Sequence, residues 1–211
     1  MGRKTSIGPS PVFDINIAQV LELEKFLVSV PDATRRAAAY AMNDVLGGQG
    51  LARFRKATAA EVQFPAGYVD DKISFDKRAT PTDLTASIVG RQRPTSLARF
   101  ATSGAVGQKG GVTVRVKGGS SFMKDAFLVR LRQGASISDD GYNVGLAIRL
   151  KDGMTLNKKD TSRMVRLENN VVLLYGPSVD QILRNEVAEA ETPEVVDAIA
   201  TEFFRQFARI A

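Results

Sequence analysis

The chain has 211 residues, 44% of them hydrophobic and 25% charged, with 29 Lys and Arg against 23 Asp and Glu and a formal net charge of +6. That composition suffices for one globular domain with its own core, and so moderate a positive balance does not by itself establish a nucleic-acid partner. Cys and His are both absent, which excludes disulfides, thiolate nucleophiles, imidazole bases and the common zinc sites.

The opening MGRKTSIGPSP has no apolar signal core, and no apolar run reaches the ~18 residues that a membrane span needs, so a cytoplasmic product without a signal peptide is expected. MGRKTS also fits the pattern for N-myristoylation, but a pattern that short recurs by chance, and a polar arm is the simpler reading. Residues 1–13, with Gly2, Gly8, Pro9 and Pro11, are expected as a flexible arm, and 14–211 as a single domain.

From Ile17 the apolar residues Val20, Leu21, Leu23, Leu27 and Val28 keep roughly helical spacing, and ATRRAAAYAMNDVL after Pro31-Asp32 is rich in strong helix formers. Helices are therefore expected over 17–60, with Gly47, Gly48 and Gly50 softening the centre of a long second one. Pro65 is placed to start a short helix. Period-two alternation then predicts strands over 83–93, 112–117, 125–132 and 143–151, and the apolar VVLLY of LENNVVLLYGPSVDQIL predicts another, within a β-rich region from 72 to 176. The connections at 101–111, 117–124, 133–141 and 151–163 are polar and glycine-rich, longer than hairpins require. Ser178 and Gln181 have capping-box spacing behind Pro177, and Thr192-Pro193 repeats a start signal, so helices are expected over 178–210. Val196, Ile199, Phe203, Phe207 and Ile210 form the expected apolar stripe, with Phe204 off it. The fold class is α+β: N-terminal helices, a central mainly antiparallel sheet or small sandwich with long loops, and C-terminal helices.

Alternation places Val112, Val114 and Val116 inward and Arg115 and Lys117 outward. It sets Phe127, Val129 and Leu131 against Leu128, Arg130 and Arg132, and Val144, Leu146, Ile148 and Leu150 against Arg149 and Lys151. If these strands share a sheet, its outer face is basic and fits nucleic-acid phosphates or an acidic partner, against the plainer reading of a solvated face. Arg91, Arg93 and Arg99 in GRQRPTSLARF form a second cationic cluster around Pro94, where a short helix is expected from Thr95 or Ser96. The pairs Asp70-Asp71 and Asp139-Asp140 lack EF-hand spacing, GAVGQKGG lacks the spacing of a phosphate loop, and no cofactor or metal is predicted. A carboxylate or Ser-Lys enzyme stays open without residues to select it. Tyr175, Gly176, Pro177 and Ser178 read as an elbow where an apolar strand stops and a helix begins.

The blocks ARFRKAT, PAGYVDDKISF, RATPTDLTASIVGRQRPTSLARF, GVTVRVK, DAFLVRL, NVGLAIRL and LENNVVLLYGPSVDQIL run in order through about Leu51–Leu183. Together they resemble the bacteriophage minor tail protein Z, or tail completion, family, most distinctively in Arg-Pro-Thr-Ser-Leu-Ala-Arg-Phe and Leu-Tyr-Gly-Pro-Ser. The resemblance implies a structural virion protein of the tail or neck, without catalysis, that joins head to tail. It also implies a homo-oligomeric ring, six copies by the symmetry of such tails, contacting tail and head-tail connector proteins and, non-specifically, genomic DNA, with no membrane partner. A head-tail adaptor, a tail terminator and a free-standing basic nucleic-acid-binding protein are the alternatives. On the ring reading, Arg91, Arg93, Arg99, Arg115, Lys117, Arg130 and Arg132 face the DNA or a partner.

Overall fold

The computed structural model describes residues 13–16, 32–108, 110–131, 144–151, 164–167 and 169–210. Helices lie at both ends and antiparallel sheets between them, an α+β fold. Where one domain is expected over 14–211, the chain divides into two compact units. The first is built from 1–61, 67–92 and 179–211, the second from 62–66 and 93–178.

In the first unit, helix α1 (Asp32–Gly47) buries Ala37, Ala38, Ala39, Ala41, Met42, Val45 and Leu46. Alanine favours the helix and its short side chain lets another helix approach closely. The glycine-rich centre divides the helix rather than merely softening it: α2 (Gln49–Glu61) follows after Gly48. Pro65 starts no helix; residues 66–72 form turns, with Gly67 at φ 73°, a left-handed conformation that ends helical continuity. The strands β1 (Phe13–Asn16), β2 (Ile73–Lys77) and β3 (Thr85–Gly90) form a sheet in the order β1-β3-β2, with a register shift between Phe75 and Lys77. Only β3 of these was expected as a strand of its own. The helical pattern over Ile17–Val28 lies outside the described residues.

The C-terminal segment is one helical run in three parts: α3 (Val179–Ile182), a π-helical turn (Leu183–Val187) and α4 (Ala188–Ile210), which packs against α1. Pro193 is inside α4, not at its start. The helix runs past it although the ring removes the bond its own N–H would make and crowds the Glu189 carbonyl one turn back; Thr192 Oγ1 donates to the Ala188 carbonyl at 2.5 Å. The buried stripe also differs from expectation: Val195, Ile199 and Gln206 are buried, whereas Phe207 is exposed. Phe204, expected off the stripe, is 69% exposed.

The second unit has two sheets. β4 (Val112–Arg115) pairs with β5 (Ser120–Met123), and β6 (Ala126–Arg130), β7 (Val144–Arg149), β8 (Met164–Arg166) and β9 (Val171–Leu174) form a four-stranded sheet in the order β6-β7-β9-β8. Their core joins Val112 and Val114 of β4 to Ala126, Leu128, Val144, Leu146, Val172 and Leu174. One strand faces opposite to expectation. Ala126 and Leu128 of β6 are buried, while Phe127 and Val129 are half-buried and Leu131 is exposed. Both faces of this strand are apolar, so alternation alone could not choose between them; pairing of Leu128 with the buried Leu146 does.

Candidate functional site

The two most distinctive segments of the sequence fold onto each other. Ser96 caps a 3-10 helix (Leu97–Phe100), its Oγ accepting from the Ala98 N–H and donating to the Val144 carbonyl. Beside it, Gly176 N–H donates to the Thr95 carbonyl at 2.7 Å, Thr95 N–H donates to the Pro177 carbonyl at 3.3 Å, and Ser96 bridges Tyr175. A Cβ on Gly176 would lie 3.2 Å from the Phe100 ring and 3.4 Å from Leu97. The Phe100 ring in turn meets Phe64 at a centroid distance of 5.4 Å. The elbow at Tyr175, Gly176, Pro177 and Ser178 is thus a paired structure, and the helix after it begins at Val179 as expected.

The predicted cations do not form one basic sheet face. Arg115 is exposed on β4 and Lys117 is exposed in the turn that follows, whereas Arg130 ends β6 in the other sheet, on the side of the buried Leu128. Arg132 lies outside the described residues. Arg91 is half-buried in the first unit, where its guanidinium donates to the buried Tyr68 hydroxyl at 2.6 Å and its N–H to the Lys72 carbonyl. Arg93 is exposed and Arg99 half-buried in the second unit. Among the carboxylate pairs, Asp71 is bound to Lys72, a hydrogen bond and charge that hold its carboxyl below the usual range. Asp139 and Asp140 lie outside the described residues. Among the described residues no three carboxylates gather as a metal cluster.

What the sequence did not reveal is the character of the outer face of the four-stranded sheet. Register and alternation set Phe127, Val129, Gly145, Ala147, Leu173 and Val165 there, and Leu131 and Leu173 both lie over Gly145. Gly145, Ala147 and Leu173 at its centre are buried, and Leu131, Val165 and Leu167 at its margins are 40%, 47% and 40% exposed. A groove of about 1000 Å³ runs along β6 beside this face. No described helix is long and apolar enough to cross a membrane. Comparison with family models, with curated proteins and with solved structures gives no match.

Proposed function

We propose that this chain is a structural subunit of a bacteriophage tail or neck that acts in tail completion and head-tail joining as one member of a homo-oligomeric ring. The virion setting rests on the sequence resemblance, and its two most distinctive segments pair with each other in the fold. The observation that favours an oligomer is the aromatic cluster near the end of α4, where Phe203 packs on Phe204 and Phe207 and the latter two are 69% and 37% exposed. Contiguous exposed apolar surface is unusual for a free monomer and typical of a subunit contact. On this reading the chain performs no catalysis, and its work is to hold shape between neighbours in the particle.

Sedimentation of the purified chain tests the ring: a mass several times the 22.8 kDa of one chain is expected. Cryo-electron microscopy of the virion tests the setting, with density for the chain expected where head meets tail. A strictly monomeric chain, or a particle lacking it at that junction, overturns the reading.

A further inference from the structure

The groove along β6 has a charge of its own. Lys124 lies before the strand and Arg130 at its end, and Arg149 and Lys151 come from the end of β7 and just beyond it; all four are exposed and line the groove. Asp125 is the one carboxylate among its described lining residues. None of the four cations is in an ion pair among the described residues. Half-buried Phe127 and Val129 supply an apolar floor, and one wall is held by the Gly107 N–H donating to the Leu128 carbonyl at 3.1 Å. Arg130 closes β6 and Lys124 lies in the turn before it, so cations stand at the two ends of a strand about 16 Å long.

The same chain carries a surface of opposite sign. From Ala188 through Phe204, α4 has the carboxylates Glu189, Glu191, Glu194, Asp197 and Glu202 and no Lys or Arg. Glu189, Pro193 and Asp197 are spaced four residues apart, so they share one helix face with Glu194 beside them, and all are exposed. Arg53 engages Glu191 and Glu194 and covers only part of this charge.

We infer that the basic groove of one copy receives the acidic face of α4 from the next copy. Such a head-to-tail contact uses two different patches, so it propagates from copy to copy and closes a ring when the rotation per step divides the circle. Opposed potentials of this kind fix the register and reject wrong partners more than they add affinity. This inference rests on the ring reading and adds which surfaces meet.

The experiment is sedimentation of four full-length proteins at low and high salt: wild type, a groove variant (Arg149→Glu with Lys151→Glu), a helix variant (Glu189→Lys with Asp197→Lys) and the chain carrying all four changes. Each reversed variant alone is expected to lose at least tenfold in association constant with an unchanged melting temperature. The fourfold variant is expected to recover assembly, which misfolding could not produce. Raised salt should weaken the wild-type assembly. An oligomer insensitive to both reversals overturns the inference while leaving the ring standing, and a monomeric wild type overturns both. If the groove variant assembles normally but loses binding to a short DNA duplex that wild type binds, the groove is a phosphate site and the inference is wrong.

Discussion

Gly90 shows what a single hydrogen can decide. A Cβ there would sit 2.7 Å from the Asp180 Cα and 2.9 Å from its nitrogen, both main-chain atoms that cannot swing aside. Gly90→Ala is therefore expected to cost about 1–3 kcal/mol through forced backbone displacement, read as a lower urea midpoint. Thr58 makes the converse case. Its hydroxyl is fully buried on α2 without a hydrogen-bond partner, so the near-isosteric Thr58→Val should stabilise by about 1 kcal/mol, and a loss of stability would mean that the hydroxyl has work to do. Neither position announces itself in the sequence, because each depends on what another part of the chain brings next to it. The groove cations are a similar case. Alternation correctly sets Arg149 outward and exposed, but only the β6-β7 register, with Ala126 opposite Ile148, brings that end of β7 beside Lys124.

At the scale of elements, the elbow gives the sharpest test. Replacing both Gly176 and Pro177 by Ala asks the Phe100 and Leu97 side chains to yield by a few tenths of an ångström, and leaves the Gly176 to Thr95 bond in place. The expected loss of stability is about 1 kcal/mol, with a larger loss of assembled particles; an unchanged particle yield counts against a joining role. Most elements were legible. Alternation marked β3, β4, β6 and β7, the continuous apolar run VVLLY marked β9, and the alanine run marked α1. β5 was hidden in the polar KGGSSFMK, since its residues Ser120 and Ser121 carry no apolar pattern. β8 is three residues long, too short for alternation to register. The apolar stripe of α4 was misread because its buried face, Val195, Ile199 and Gln206, includes a polar residue whose amide donates to Asp44, so counting apolar residues alone ran along the neighbouring Phe203 and Phe207.

For the whole molecule, the division into two units predicts what can be removed. Arg91 and Asp180, which flank the long segment 93–178, are bonded through the Arg91 carbonyl and the Asp180 N–H at 3.1 Å. A short Gly-Ser linker from Gln92 to Val179 is therefore expected to leave the first unit folded, with its helical circular dichroism and a single cooperative transition. A molten product would mean that the first unit cannot stand alone. Neither the division nor this closure was visible in the composition, which is even along the chain. The strap at 62–66 belongs with the second unit, where Gln63 N–H donates to the Val116 carbonyl and Phe64 meets Phe100, although on both sides the chain continues in the first.

That interleaving orders events in time during synthesis, since a chain emerges from the ribosome N-terminus first. The strap at 62–66 leaves early and waits for 93–116 before its partners exist. The second unit has all its parts once Ser178 is out. The first unit, begun earlier, is still without Val179, Leu183, Val195 and Ile199, which are buried in it when complete. The unit started first is thus the one finished last, and until then the buried face of α1 stands without the helix that covers it.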